Sequence, residues 1–417
     1  MTIQTVRGVR DILPEESGRW LFLEERARRI LAQYGYRELR TPVFERTELF
    51  ARAVGETSDI VEKEMYVFED RGGESLCLRP EGTASAVRSF IEGSRHRSLP
   101  WRVFYLGPMF RYERPQKGRF RQFHQLGCEL FGPEGPLADA EMMALVLRLL
   151  REIGIAGAVT LEINSLGCPV CRGPYRERLT AHLESVRAAL CGNCQRRLER
   201  NPLRVLDCKE ENAALLEAVP QMRDHLCGGC AAHFQGLVGH LERLGLPYRI
   251  NPLMVRGLDY YHRTAFEAVA EGLGAQNAVA AGGRYDGLVA EMGGVATSAV
   301  GFAMGLERLL LLMDESLGGA IAPEVYLVVA GDEGVEGYGL GVAEALRGAG
   351  FRVEMHLTGG GMKSQMKHAG RSQAPLTVIV GQQEAQEATV MLKQMESGTQ
   401  ESLPVGGLVE RLRQLTG

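Results

Sequence analysis

The chain has 417 residues, of which 45% are hydrophobic and 24% charged, and its 48 Lys and Arg against 52 Asp and Glu give a formal net charge of −4. This length exceeds one ordinary domain and predicts two or three, with the composition of a soluble globular protein. The near-neutral balance excludes a uniformly basic nucleic-acid-binding surface, although it is compatible with local basic patches.

No segment is long and apolar enough to span a membrane. The most apolar run, Leu306–Met313, is short and contains two charged residues. The first residues, MTIQTVRGVRDILPEE, lack the apolar segment of a secretory signal peptide. We therefore expect a cytoplasmic protein with no membrane partner. In that compartment, nine cysteines fit free thiols or metal ligands better than a disulfide framework.

The first part of the chain predicts an antiparallel α+β core. Apolar spacing predicts an amphipathic helix over residues 15–34, and Pro42 then favours an edge strand or a turn. Residues 65–79 predict a hairpin around an Arg-Gly-Gly turn, and a helix is expected after Pro80. A longer hairpin covers 102–131, and a helix covers 138–153. Strands followed by segregated helices argue against a doubly wound sheet.

Later segments predict an insertion and a second domain. Residues 168–244, called the insertion below, are helix-rich and contain seven of the nine cysteines, so the core is predicted over 1–167 and 245–315. Residues 314–323 look like a linker. Strands and helices alternate over 323–417, which predicts a small C-terminal α/β domain.

The hairpin at 102–131 carries an unusual polar face. Because strand side chains alternate, Gln125, Gly127 and Glu129 share one face, and Arg111 and Glu113 point to the corresponding side of the first strand. This face is either solvated or the wall of a cavity for a small polar ligand, and the aromatic residues beside it favour the cavity. There, the planar fork of Arg111 would bind a phosphate, and Gln125 and Glu129 would bind ammonium or amide groups. Gly127 would leave room for the ligand.

Other segments have both a structural and a functional interpretation. The loop RPQKGR adds Arg114 and Arg119, which suit further phosphates or a nucleic-acid end. Thr83 follows Glu81 at a strand-to-helix turn. It is expected to be either the N-cap of the helix or part of a binding site. Arg308 lies in an otherwise apolar helix, where it requires either an ion pair or an anionic ligand.

Three Cys-x-x-Cys pairs lie in the insertion, with Cys208 alone between the second and third. Two such pairs can supply four thiolates to a structural Zn²⁺, although buried free thiols or a redox role fit as well. The pairs LCGNC and LCGGC have the same form and favour a site made of Cys191, Cys194, Cys227 and Cys230. Cys168 and Cys171 are an equally acceptable pair.

Together, these segments resemble the histidyl-tRNA synthetase family, a class II aminoacyl-tRNA synthetase family. TPVFERTELFARAVGE resembles its first motif, FRYERPQKGRFRQFHQLGCELFG its second and GFAMGLERLLLLM its third. VRGLDYYHRTAFE and AGGRYDGL resemble the two sequences peculiar to the histidyl enzymes. The resemblance spans nearly the whole chain. It implies a class II α+β catalytic core, a C-terminal anticodon-binding domain and a homodimer that meets at the first motif.

The resemblance also implies a reaction and residue roles. L-histidine and ATP, with Mg²⁺, would give histidyl-adenylate and pyrophosphate, and the histidyl group would pass to the 3′-terminal ribose of histidine tRNA. Arg111 and Arg256 would act at the α-phosphate, and Arg308 at the γ-phosphate. The remaining implied positions are histidine contacts at Glu81, Thr83, Gln125, Glu129, Tyr261 and Tyr285, ATP contacts at Glu113 and Arg119, and tRNA acceptor-end contacts at Arg114 and Gln116.

The resemblance leaves a non-catalytic alternative. A synthetase-like regulatory subunit that senses histidine for ATP phosphoribosyltransferase would need the histidine pocket, but neither the full ATP site nor the anticodon domain. Arg111, Arg256 and Arg308 are all present, and a C-terminal α/β domain follows the linker. These features favour the ligase. His262 departs from the smaller polar residue that is common in the family.

Overall fold

The structure is a computed structural model, and it describes residues 3–55, 58–208, 215–216, 218–256, 260–271, 277–319 and 322–416. The chain divides into two compact units, Met1–Gly319 and Ala320–Gly417. The division falls inside the segment that the sequence predicts as a linker. Within the described residues, none of the helices has the length and apolar character that crossing a membrane requires.

Thirteen α-helices lie in the described residues. They are α1 Pro14–Gln33, α2 Thr47–Val54, α3 Thr83–Glu92, α4 Pro136–Glu152, α5 Pro169–Ser185, α6 Gly192–Arg200, α7 Gly228–Arg243, α8 Leu288–Glu291, α9 Leu306–Leu312, α10 Glu333–Gly348, α11 Met362–Ser372, α12 Gln382–Glu387 and α13 Val405–Thr416.

Sixteen strands form three sheets in the same residues. They are β1 Arg37–Glu38, β2 Phe44–Arg46, β3 Val67–Glu69, β4 Ser75–Leu78, β5 Trp101–Phe110, β6 Gln122–Phe131, β7 Val159–Ser165, β8 Arg249–Ile250, β9 His262–Ala270, β10 Ala278–Arg284, β11 Ala299–Gly305, β12 Val325–Ala330, β13 Val353–Met355, β14 Leu376–Gly381, β15 Thr389–Gln394 and β16 Gln400–Pro404.

The main sheet of the first unit has eight strands in the order β1-β5-β6-β11-β10-β9-β7-β8. Its six central strands are antiparallel to one another. The short edge strands β1 and β8 pair in parallel with β5 and β7. A separate three-stranded antiparallel sheet has the order β2-β4-β3. The predicted α+β core on an antiparallel sheet is therefore confirmed.

Helices α1, α4 and α7 cover one face of the main sheet. Helix α1 buries Trp20, Leu23, Ala27, Ile30 and Leu31, which recur at the three- and four-residue spacing of an amphipathic helix. Helix α4 packs against both α1 and α7 and is buried along most of its length. These residues join the apolar side of β6 in one core. The opposite face of the sheet is left for the polar residues of the hairpin.

The insertion forms its own small core, which α5 and the shorter α6 enclose. Tyr175, Leu179 and Leu183 of α5 pack there with cysteines from all three Cys-x-x-Cys pairs. Its last helix, α7, instead buries Phe234 and Leu237 in the core of the main sheet. The insertion is thus held to the core at its C-terminal end.

The second unit is the predicted α/β domain. Its five strands lie in the order β13-β12-β14-β15-β16, with β12 parallel to both neighbours and the last three strands antiparallel. The central strands read VYLVVA and LTVIVG because both of their faces are covered. Helices α10 and α11 follow β12 and β13, as the alternating pattern predicts.

Candidate active site

A cavity of about 420 Å³ opens on the face of the main sheet opposite α4. Strands β6, β10 and β11 form its floor. Its walls come from the start of α3, the loop between β5 and β6, two residues of the insertion, and Val255, Arg256, Tyr260 and Tyr261. The polar face of the hairpin therefore lines a cavity, as the aromatic flanks favoured, rather than an open solvated surface.

Glu129 lies buried at the bottom of this cavity. Its Oε1 accepts hydrogen bonds from the hydroxyls of Thr83 at 2.8 Å and Tyr105 at 3.2 Å, and its Oε2 accepts one from Tyr285 at 2.5 Å. Burial raises the pKa of Glu129 to about 8, although these donors oppose the shift. Glu129 pairs in register with Gly301, where a side chain would overlap its carboxylate.

Glu81 holds the start of helix α3. Its carboxylate accepts hydrogen bonds from the backbone amides of Thr83 at 2.6 Å and Ala84 at 2.8 Å, which satisfies two of the free amides of the first turn. Gly82 occupies the N-cap position, so the alternative of Thr83 as the cap is wrong. The Thr83 hydroxyl is directed to Glu129 instead. Glu81 and Glu129 are two buried carboxyl groups in one pocket. Burial raises the pKa of Glu81 as well.

Gly127 does not leave room for a ligand, which corrects the sequence interpretation. The ring of Tyr105 from β5 lies over Gly127 and also over Gly82, and a Cβ at either glycine would overlap that ring. The two glycines let the buried tyrosine reach Glu129. Gly127 is therefore a packing position, and the polar residues on either side of it line the cavity.

Three tyrosines form an aromatic wall beside Glu129. The Tyr260 ring lies 4.7 Å from that of Tyr261 and 5.7 Å from that of Tyr285. Burial, with Glu129 nearby, raises the pKa of Tyr285 well above its usual value, so its hydroxyl stays a donor. Gln125 lies next to this wall, and its buried Oε1 has no hydrogen-bond partner among the described residues. An unsatisfied buried acceptor here suggests a ligand donor.

Arg256 lies at the edge of the aromatic wall. Its Nη1 forms an ion pair with Glu267 of β9, and its guanidinium lies 5.1 Å from the ring centroid of Tyr261. Burial is the largest influence and lowers the pKa of Arg256, but Glu267, Tyr261 and Tyr260 together outweigh it, so the pKa is raised. Its buried Nε has no hydrogen-bond partner in the described part of the chain. The Arg256 guanidinium is thus held in place by Glu267, and its Nε–H remains available to a ligand.

Arg111, Arg119 and Arg308 form a second group of residues that line the cavity. Arg111 donates Nε to the Pro80 carbonyl at 2.9 Å, and its guanidinium lies 5.3 Å from the Phe123 ring centroid. Arg308 donates to the carbonyls of Ala278 at 2.7 Å and Gly118 at 3.4 Å. Burial, and then the positive charge of Arg119, lower the pKa of Arg308. An anion would relieve this repulsion.

Comparison with known proteins identifies the family. The sequence profile of histidyl-tRNA synthetase matches residues 8–309, and that of an anticodon binding domain matches residues 324–415. The chain belongs to the histidyl-tRNA synthetase family. It is 47% identical over 422 residues to the histidine–tRNA ligase of Halothermothrix orenii, covering 100% of both chains, and 50% identical over 423 residues to that of Halorhodospira halophila, covering 100% and 99%.

A solved structure shows the same fold. The crystal structure of apo Staphylococcus aureus histidyl-tRNA synthetase has a TM-score of 0.82 and 35% sequence identity, and covers 99% of this chain and 100% of that chain. The family resemblance and the fold class that the motifs implied are therefore confirmed.

Eleven residues that the histidyl-tRNA synthetase motifs implied for substrates lie together in the cavity. They are Glu81, Thr83, Arg111, Glu113, Arg119, Gln125, Glu129, Arg256, Tyr261, Tyr285 and Arg308. The two implied tRNA contacts, Arg114 and Gln116, are exposed on the loop outside the cavity. Residues 257–259 of the motif VRGLDYYHRTAFE lie outside the described residues.

The loop between β5 and β6 is itself a small hairpin. The backbones of Gln116 and Arg119 exchange two hydrogen bonds of 3.1 and 2.9 Å around Gly118, which has φ +70°. Arg119 forms an ion pair with Glu113, whose hydrogen bond raises the pKa of the guanidinium. The loop thereby directs Arg119 inward while Arg114 remains exposed.

Sequence reasoning missed several charged residues of the cavity, including Glu267, Glu307, Arg204 and Asp207. Glu267 is a single carboxylate within the apolar second half of β9, and this pattern could have revealed it as the partner of Arg256. Glu307 adjoins Arg308, and its carboxylate accepts from the backbone and ring nitrogens of His124 at 2.9–3.0 Å. Arg204 and Asp207 come from the insertion. No local pattern signals their position, because it depends on how the insertion packs.

His262, the departure from the family pattern, lies beside the site rather than in it. Its Nδ1 is 3.2 Å from Oδ2 of Asp286. Asp286 in turn pairs with the buried Arg284, 3.0 Å away, which also forms an ion pair with Asp139. His262 therefore extends a buried charge network behind the aromatic wall.

The cysteines group differently from the predicted set. Cys227 and Cys230 lie with Cys168 and Cys171, whereas Cys191 and Cys194 lie with Cys208. The predicted set of Cys191, Cys194, Cys227 and Cys230 is wrong, because helices α5 and α7 start side by side and α6 starts elsewhere. Similarity of the local sequence could not distinguish the pairs.

Proposed function

We propose that this chain activates L-histidine with ATP to histidyl-adenylate and then transfers the histidyl group to the 3′-terminal ribose of histidine tRNA. One observation carries the proposal: a single cavity is lined both by three arginines and by a buried carboxylate with three tyrosines. A triphosphate and an amino acid with a protonated α-amino group fit these two sets of residues. Full-length similarity to histidine–tRNA ligases supports the same function.

Glu129 and the tyrosines around it form the proposed histidine pocket. Glu129 and the unsatisfied Oε1 of Gln125 are acceptors for the α-ammonium group, and Thr83 and Glu81 hold Glu129 and the helix start in place. Tyr261 and Tyr285 would contact the imidazole, whose flat ring and two nitrogens suit an aromatic wall with hydroxyl groups. The ammonium would also offset the cost of ionising buried Glu129.

The three arginines form the proposed ATP site. Arg111 would bind the α-phosphate, because its Nε is fixed by the Pro80 carbonyl and its fork faces the cavity. Arg308 would bind the γ-phosphate, with Arg119 and Glu113 contributing to the outer part of the nucleotide. When bound, Mg²⁺ would neutralise phosphate charge. Cavity carboxylates such as Glu307 are the type of oxygen ligand that it prefers.

Arg256 lines the same cavity and is the proposed catalytic group for adenylation. The attack of the histidine carboxylate on the α-phosphate transfers negative charge to the phosphoryl oxygens and releases pyrophosphate. A guanidinium already fixed by Glu267 can stabilise that charge without reorganisation. Catalysis then rests on positioning and charge neutralisation, as in other phosphoryl transfers.

tRNA would contact two separate surfaces. Exposed Arg114 and Gln116 suit the acceptor end of tRNA. They lie on the loop between β5 and β6, which also carries Arg119, a proposed ATP contact. In the second unit, helix α11 exposes Lys363, Lys367 and Arg371, a basic face for the anticodon arm.

A homodimer is proposed at the first motif. Phe44 and Phe68 lie on the same face of the three-stranded sheet and expose 55% and 42% of their surface. Such a cluster of exposed apolar residues indicates a protein interface. Analytical ultracentrifugation should show a dimer that F44D with F68D dissociates, and a wild-type monomer would contradict this assembly.

The regulatory alternative is not favoured. A histidine sensor needs no arginine cluster for ATP, yet Arg111, Arg256 and Arg308 line the cavity, and the full-length relatives are named histidine–tRNA ligases. ATP–pyrophosphate exchange measured with each of the twenty amino acids tests the choice. We expect exchange with histidine alone. Histidine binding without exchange would favour the sensor.

A further inference from the structure

Four cysteine side chains meet where the insertion leaves and rejoins the core. Cys168 and Cys171 lie at the start of α5, and Cys227 and Cys230 lie at the start of α7. Their four Sγ atoms all lie within 4.8 Å of one another. Cys171 and Cys230 are buried, and the other two are partly exposed. The group is therefore enclosed on one side and open to an ion from solvent on the other.

The sulfur–sulfur distances match a metal site rather than a disulfide. Cys168 Sγ lies 3.6 Å from that of Cys171 and 3.8 Å from that of Cys227. Four sulfurs arranged tetrahedrally around Zn²⁺ at about 2.3 Å are separated from one another by about 3.8 Å. A disulfide would need about 2.05 Å.

The two pairs also have the same local structure. Cys168 and Cys227 are each the N-cap residue of their helix, and the second cysteine of each pair lies in the first turn. The Cys227 backbone amide donates to Cys171 Sγ at 3.1 Å, so one pair provides a hydrogen bond to a sulfur of the other. Backbone donors and two helix N-termini both stabilise thiolate charge.

We propose that Cys168, Cys171, Cys227 and Cys230 bind one structural Zn²⁺ through four thiolates. Binding releases the four thiol protons to solvent and forms four Zn–S bonds, without any change in oxidation state. With four protein ligands, the ion has no open position for a substrate, as in closed structural sites. The second group, Cys191, Cys194 and Cys208, offers three thiols and is not part of the proposal.

The ion would fasten the insertion to the catalytic core. Helix α7 already contacts the core through His233, whose Nε2 lies 2.7 Å from Asp139. Next to Cys171, Arg172 donates to the carbonyls of Leu166 and Tyr261, and Tyr261 is part of the aromatic wall. A metal ion that joins α5 to α7 would thus fix the position of α5, whose Arg172 contacts the aromatic wall.

Metal analysis of the purified full-length chain tests the ligand set. We expect one equivalent of zinc to be lost from C168S and from C227S, whereas C191S leaves these four ligands intact and retains that equivalent. Zinc-free wild-type protein after zinc supplementation under reducing conditions would overturn the proposal. Zinc content unchanged in C168S and C227S would overturn it as well.

A second measurement needs no variant and so does not depend on variant folding. The chelated, reduced wild-type chain is titrated with Co²⁺, and we expect thiolate-to-cobalt charge-transfer absorption that saturates with the four-thiolate site and disappears when Zn²⁺ is added. Absence of this band would contradict four-sulfur coordination. In limited proteolysis, removal of the metal should accelerate cleavage within residues 168–244 several-fold, and equal rates would contradict the fastening role.

Discussion

The hydroxyl of Tyr285 lies 2.5 Å from Oε2 of Glu129 and donates a hydrogen bond to it at the bottom of the cavity. Tyr285 comes directly after β10 and Glu129 lies in β6, so the contact joins one of the two histidyl motifs to the second class II motif. A buried carboxyl that receives hydrogen bonds from three neutral hydroxyls can form an ion pair with a cationic group of a ligand. Its protonation should therefore be coupled to histidine binding.

The pKa of Glu129, about 8 in the free protein, predicts pH-dependent histidine affinity. At pH 7 the carboxyl is protonated, and a bound ammonium favours the ionised form, so binding releases a proton. The dissociation constant should fall about fivefold between pH 7 and 8 because the cost of ionisation decreases as pH approaches the pKa. Calorimetry in buffers of different ionisation enthalpy measures both the affinity and the released proton.

E129Q should remove this dependence. The variant should bind histidine about 10- to 100-fold more weakly, the loss expected for a hydrogen bond to a charged group, with no proton release over the same pH range. The matched control is E291Q, since Glu291 is exposed at the end of α8. Proton release retained by E129Q would assign the titration to another group.

R256A should nearly abolish adenylation. Loss of a fixed donor to developing phosphoryl charge costs on the order of 10²–10³-fold in kcat, and the ion pair with Glu267 is lost as well. ATP–pyrophosphate exchange measures the effect, and tRNA affinity should stay near normal. R148A is the control, because Arg148 is 45% exposed and pairs with Glu152 on the surface of α4. Exchange retained within threefold in R256A would contradict the catalytic role.

G127A should destabilise the first unit. The added methyl group would overlap the Tyr105 ring, and overpacking of a core typically costs about 1–3 kcal/mol. The ring would also move from Glu129 and weaken histidine binding. Chemical denaturation measures the free energy of unfolding, with G239A in α7 as a control because a Cβ there meets no atom within 4 Å. Equal stability of G127A and wild type would contradict the role of Gly127 in accommodating the Tyr105 ring.

Replacement of Lys363, Lys367 and Arg371 by alanine should weaken tRNA binding without affecting adenylation. The three side chains are exposed on one helix of the second unit, so their loss should reduce the salt dependence of tRNA binding by up to about one logarithmic unit of slope per lost phosphate contact. Filter binding at several salt concentrations measures the slope. If these residues form only a solvated face, the slope will not change.

Local patterns predicted those parts of the fold and site that depend on local geometry. Strand alternation placed Gln125 and Glu129 on one face, because the two-residue period of a strand is independent of its surroundings. The same period could not show that Tyr105 fills the space over Gly127, since that ring arrives from a neighbouring strand. The four-cysteine group also depends on packing, because Cys168 and Cys227 are 59 positions apart in the sequence.

Family resemblance supplied what local patterns could not. It assigned ligands to a cavity whose residues come from segments more than 200 positions apart, such as Glu81 and Arg308. The contributions of Arg204 and Asp207 remained hidden, because an inserted subdomain is positioned by contacts that no motif records.

Transfer of labelled histidine to tRNA by the purified chain tests the central claim most directly. With ATP and Mg²⁺, we predict acid-precipitable histidine on histidine tRNA, lost when the tRNA 3′-terminal ribose is oxidised, and no charging with other amino acids. Histidine-dependent pyrophosphate exchange without any charged tRNA, or charging with an amino acid other than histidine, would contradict the account.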